Sequence, residues 1–214
     1  MIRRAVLVLI LALPIFSGCQ KAYYAGMEKI GVHKREILVD RVEEARDSQE
    51  DAKEQFASAL EEFNAVVGFE GGDLAAQYET LQRAYDRSVD RAEEVRTRIA
   101  RVEDVAEALF DEWRAELDEY TDRQLRQSSA SKLEQTRARY EQLITAMKQA
   151  EKKIHPVLDT FQDQVLFLKH NLNARAIASL KGELATMRTD ISELVRSMEN
   201  SIAEAETFIR QMEE

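Results

Sequence analysis

The side chains best suited to acid–base or metal chemistry in this 214-residue chain are its three histidines, His33, His155 and His170, and they stand far apart in sequence. A helix offers two metal ligands on one face when they are three or four residues apart, and none of the three lies in a His-x-x-x-His or Glu-x-x-His pattern. Acid pairs one turn apart do occur, Glu103 with Glu107 and Glu43 with Asp47. Di-metal carboxylate helices need Glu-x-x-His partners beside such pairs, and these are missing. In so acidic a chain the pairs read as a solvated face. Gly71-Gly72 lacks the Lys-Ser/Thr that completes a phosphate-cradling loop, and no nucleophile elbow or Ser, His and Asp set appears. The expectation is a protein that is not an enzyme and holds no metal or cofactor.

The remaining reactive side chain is Cys19, the single cysteine. It ends a stretch that begins Met1-Ile-Arg-Arg, continues through the apolar run from Ala5 to Phe16, and closes Ser17-Gly18-Cys19. A basic start, a short apolar run and small residues before a cysteine have the order of an export signal. The run is well short of the roughly 20 residues that cross a bilayer, which argues against an uncleaved membrane helix. The segment resembles the lipobox of bacterial lipoproteins, in which the cysteine receives a lipid and becomes residue one. Phe16 departs from the pattern, where Leu is commoner. Lipid chains contribute roughly 0.8 kcal/mol per buried methylene, so several on one residue anchor it stably. Gln20, a non-Asp residue after the cysteine, resembles the signal for transfer to the outer membrane, and Tyr23 and Tyr24 read as anchors at the headgroup level.

Composition excludes other classes. The net charge is −10, and loss of Arg3 and Arg4 with the signal makes the remainder more acidic still. That charge disfavours nucleic acid and anionic surfaces as general partners. With only seven glycines and two prolines, the chain has the make-up of long helices.

Periodicity identifies those helices. Leu38, Val42, Ala45, Gln49, Ala52, Phe56, Ala59, Phe63 and Val66 alternate in steps of four and three, which is a heptad. After the Gly71-Gly72 turn and an Asp73 cap, the series restarts at Leu74 and runs through Tyr78, Leu81, Tyr85, Ser88, Val95 and Ile99 to Trp113. A third series, behind the Ser128 to Ser131 patch, joins Leu133 to Phe161, and a fourth joins Ile177 to Met212. The spacing predicts helices at about 32–67, 73–121, 131–170 and 174–213. Helices of about 40 residues would be about 60 Å long. Short connections favour antiparallel neighbours, hence an all-α, long antiparallel helical bundle or coiled coil behind the lipoprotein signal peptide. The division is 1–18 as signal peptide, 19–32 as lipidated cysteine and membrane-proximal tether, and 33–214 as a single bundle.

Pro156 lies inside the third series, where a kink or a restart at His155 is expected. The first helix is acid-rich from Asp40 to Glu62 and the third base-rich from Asp122 to His155, so the two would complement each other as neighbours. Beyond Pro156, Val165 to Ala178 is apolar on every side and reads as the least exposed stretch, packed against a second layer. A phase break there sets Asn171 and Asn173 as the end of one helix and the cap of the next, with Lys169 and His170 serving the helix dipole. His170, Asn171, Asn173 and Arg175 are thus the candidate junction, or alternatively a recognition patch.

Three runs, Tyr23 to Arg35, Glu103 to Phe110 and Phe167 to Ile177, are similar to a bacterial lipoprotein family known as domain of unknown function 2959. The likeness spans nearly the whole chain after the signal. It implies a helical envelope lipoprotein and brings no activity or catalytic residues with it. The resulting expectation is a noncatalytic scaffold, spacer or adaptor on the periplasmic face of the outer membrane. Its partners would be the membrane, through the N-terminal lipid, and unidentified envelope proteins. Nucleic acid is not among them, and homo-oligomerisation stays open. The alternatives are a membrane-facing or membrane-shaping helical protein and a periplasmic holdase-like chaperone.

Overall fold

The computed structural model describes residues 33–68, 71 and 73–213. Cys19, Tyr23, Tyr24 and the tether fall outside the described residues. Four helices follow one another, α1 (Lys34–Val67), α2 (Leu74–Glu116), α3 (Arg123–His170) and α4 (Ala174–Glu213). The heptad residues of α1 from Leu38 to Val66 are all buried, each at 1 % exposure or less. Such a stripe cannot be satisfied by one partner, and α1 packs against both α2 and α4, while α3 closes the ring by packing against the same two helices. The result is an up-down-up-down bundle with α1 and α3 on a diagonal.

That ring corrects one expectation. Acid-rich α1 does not lie beside base-rich α3; its acids pair with α2 instead. Glu44 binds Arg98 at 2.6 Å, Asp51 binds Arg91 at 3.2 Å, and Glu62 binds Arg87 at 2.6 Å. With Lys34 on Glu112 at 2.8 Å and Gln55 reaching the Ser88 hydroxyl at 3.5 Å, residue numbers fall on α2 as they rise on α1. The register centres on the Gly71 turn, where φ is +156° and a side chain would be strained.

Two helix bounds also move. The second helix ends at Glu116, not 121, because Asp118 and Glu119 bond back only three residues, to Ala115 and Glu116, tightening the chain into a turn. The third begins at Arg123, not 131. The Asp122 carboxylate accepts the Gln124 and Leu125 amides at 2.7 and 3.1 Å, and the serine patch lies inside the helix with Ser129 accepting from the Trp113 indole at 2.8 Å. Residues 121–128 are all exposed, so no apolar stripe marks this turn of helix in the sequence.

Nor does α3 restart at His155. It continues through Pro156, which is exposed, while Ile154, Val157 and Leu158 on either side are buried and hold the helix to the core. The missing amide costs one backbone bond. Core burial outweighs it here.

The two ends of the bundle differ. His33, the α2–α3 turn and the end of α4 share one end, the base, where the Arg35 guanidinium donates to the Met212 carbonyl. The α1–α2 and α3–α4 turns share the other, the tip. The 34 residues of α1 separate the two by about 50 Å at 1.5 Å per residue. Below the tip, Phe161 receives Phe63 and Tyr85 edge to face, at ring-centre distances of 6.2 and 5.8 Å.

Candidate functional site

At the tip, α3 runs out at His170 and α4 starts at Ala174. The Asn171 side-chain amide donates to the Phe167 carbonyl at 3.0 Å, satisfying one of the free oxygens of the last turn of α3. The Asn173 side-chain oxygen accepts from the Arg175 and Ala176 amides at 3.0 and 3.2 Å, which caps α4. Lys169 and His170 stand in the last turn of α3, where positive charge is favoured by the helix dipole. Asn171 is half-buried; His170, Asn173 and Arg175 are exposed. The four residues are therefore brought together at one turn, with the two asparagines shaping it and His170 and Arg175 facing water.

The apolar residues around them are not where the sequence suggested. Val165 and Leu168 are buried, but Leu166 is 45 % exposed, Phe167 38 % and Leu172 45 %. The stretch read as the least exposed is instead the site of three of the five large exposed hydrophobics among the described residues. The reason is geometric: α3 offers the core one stripe, through Phe161, Val165 and Leu168, and the four-membered ring has no further layer to cover Leu166 and Phe167. Tyr120 and Leu125, the other two exposed residues, lie at the base.

Charge sharpens the contrast. From Gln164 to Gly182 there is no acidic residue, in a chain with 40 of them, while Lys169, Arg175 and Lys181 all fall in that run and are exposed. None of the three forms an ion pair among the described residues. The other half of the tip is acidic, with Glu61, Glu62 and Asp73; Glu62 is held by Arg87, and Asp73 accepts the Ala75 and Ala76 amides at 2.9 and 3.3 Å.

Sequence reasoning missed one concavity, a groove of about 640 Å³ between α2 and α3 beside Pro156. Val89, Ala92, Ile154 and Leu158 line it, with Arg96 and Glu151 at its edge. Its only signal in the sequence is the proline. Elsewhere the titratable groups explain themselves structurally. Burial, then the charges of Glu103, Glu107 and Asp104, push the Tyr140 phenol up to about 12. Burial also raises Tyr85, with Asp86 and Asp159 adding to it. Burial alone would raise Glu44, but Arg41 and Arg98 beside it hold its carboxyl below the usual range.

Among the described residues no group of three or more His, Cys, Asp or Glu is placed to hold a metal ion. His33 lies at the base, His170 at the tip, and His155 between them, within 3.7 Å of Asp159. Glu103 pairs with Lys148 across to α3. No helix among the described residues is long and apolar enough to cross a membrane.

Fold and surface together define an all-helical four-helix bundle whose chemically distinct region is one end. Within that class, residues 23–212 match the family described as protein of unknown function (DUF2959), and the chain belongs to it, as the runs near Tyr23, Glu103 and Phe167 suggested. No curated protein and no solved structure matches the chain.

Proposed function

We propose that the chain is a noncatalytic lipoprotein of the bacterial envelope that acts as a spacer or adaptor, held by a lipid on Cys19 at the periplasmic face of the outer membrane. The observation that carries this reading is the placement of His33 at the base, so that a tether entering there leaves the α3–α4 turn as the farthest point. A closed bundle about 50 Å long is stiff enough to hold a surface at a set height. Contacts made at the tip, rather than chemistry in a pocket, then constitute its work.

Cys19→Ser tests the anchor. The variant is expected to lose lipid labelling and membrane fractionation while keeping its helical circular dichroism. Retention in the membrane at unchanged mass would replace the lipid anchor with an uncleaved helix. Affinity capture from native envelopes, followed by mass spectrometry, tests the adaptor role; reproducible capture of envelope proteins supports it, and recovery of the chain alone contradicts it.

A further inference from the structure

The residues that cap the α3–α4 junction account for its turn, but not for the surface around it. Leu166, Phe167 and Leu172 are each more than a third exposed. Burying such side chains would be favourable by their apolar area, and nothing in the bundle covers them. Around them lie Lys169, Arg175 and Lys181, within two helical turns of the junction and with no acid between Gln164 and Gly182.

We infer that the α3–α4 corner of the tip docks on an anionic lipid surface, with Leu172 and its apolar neighbours entering the headgroup boundary and the three cations meeting lipid phosphates. Apolar side chains at a turn with cations on both flanks have the composition of an interfacial contact, where burial and attraction to anionic headgroups add. Charge complementarity selects this occupant: the chain as a whole is acidic, and the stretch from Gln164 to Gly182, the longest acid-free run among the described residues, is the only such run that sets three unpaired cations beside exposed apolar side chains at one turn. Glu61, Glu62 and Asp73 on the α1–α2 half fix how it docks. They keep that corner away from the surface, so the bundle meets it along the α3–α4 edge and tilted. This inference goes beyond the adaptor reading and does not depend on the lipid at Cys19. If both hold, the chain spans from one membrane surface to another.

The test immobilises the full-length chain through a C-terminal tag, which lies at the base, and exposes it to fluorescent vesicles. One set is phosphatidylcholine alone; the other contains phosphatidylcholine and phosphatidylglycerol in equal parts. Capture of neutral vesicles reads a lipid on Cys19, and the excess captured with phosphatidylglycerol reads the tip, so the two readings fail separately. Each cation near an anionic surface contributes roughly fivefold, so Lys169→Gln/Arg175→Gln/Lys181→Gln should weaken the excess on the order of 100-fold. Leu166→Ser/Phe167→Ser/Leu172→Ser should abolish most of it with circular dichroism unchanged. The same charge loss elsewhere, Arg123→Gln/Lys132→Gln/Arg139→Gln, should leave it intact. Absence of any phosphatidylglycerol excess overturns the inference, as does equal loss from both cation sets. Tighter binding of polyglutamate than of the anionic vesicles would overturn it in favour of an acidic protein partner.

Discussion

Between α1 and α2, Arg87, Arg91 and Arg98 reach across to Glu62, Asp51 and Glu44, whereas between α3 and α4 no ion pair forms among the described residues. Both hairpins bury a continuous apolar stripe, so the difference lies outside the core. In the first hairpin polar side chains are matched to one another across the helix pair. In the second, Lys169, Arg175 and Lys181 stay unmatched and stand beside exposed Leu166, Phe167 and Leu172. Exposed ion pairs contribute little each, so the first pattern is not required for stability and the second does not sacrifice much of it. The stability of this bundle therefore resides in its stripes, which leaves the exposed side chains of the α3–α4 corner open to other roles.

The largest expected effect breaks the comparison inside α3. Phe161 is 1 % exposed and receives two aromatic rings, so Phe161→Ala should cost about 3–5 kcal/mol, lowering the melting temperature by about 2–4 °C for each of those kcal/mol. Phe167, six residues on, should cost far less. Equal losses in thermal melts would mean that the tip is packed after all.

Next comes a change in the opposite direction. Gln49 sits in the α1 stripe, fully buried, with neither side-chain atom hydrogen-bonded. A buried polar group left unpaired costs about 1–3 kcal/mol, so Gln49→Met, which keeps the shape, should raise the melting temperature by several degrees. A fall instead would show that the amide is satisfied in solution.

Asn173→Ala removes the cap of α4 and should cost about 1 kcal/mol, with hydrogen exchange rising first at Arg175 and Ala176. Unchanged exchange at those amides would remove the cap from the account. A pH dependence of similar or smaller size belongs to Tyr140. Its phenol is raised from the usual value near 10 to about 12, so the folded chain holds the proton more tightly than the unfolded one. The stability this gives is complete below about 10 and is lost as pH rises through about 12. Tyr140→Phe should flatten the alkaline decline in that window; an identical decline in both proteins assigns it elsewhere.

Much of this was legible in the residues. The α1 heptad reads directly because each of its positions faces the ring, and Gly71 marks its turn because few other residues tolerate that backbone. The break at Asn171 to Asn173 showed only as a slip of phase, which the two caps explain. Four features were not legible, each for a physical reason. Local periodicity finds a helix and its hairpin partner but not which helices close a ring, so complementary charge in α1 and α3 points to neighbours although the two lie on a diagonal. The first turns of α3 are exposed and carry no stripe, so no apolar signal in the sequence marks Asp122 as their cap. An apolar run at a helix end has the same composition whether or not a neighbour covers it, so composition alone points to burial of Leu166 and Phe167, which are exposed. The groove beside Pro156 depends on side chains of two helices, so apart from that proline neither helix carries a signature of it.

The most direct test of the central claim, that the exposed apolar side chains of the α3–α4 corner are free of structural duty, is a thermal melt of Leu166→Ser/Phe167→Ser/Leu172→Ser beside the unmodified chain. The expected result is a melting temperature shifted by no more than about 2–4 °C, the equivalent of roughly 1 kcal/mol in a protein of this size. A fall as large as that of Phe161→Ala would contradict it, because those side chains would then be part of the core.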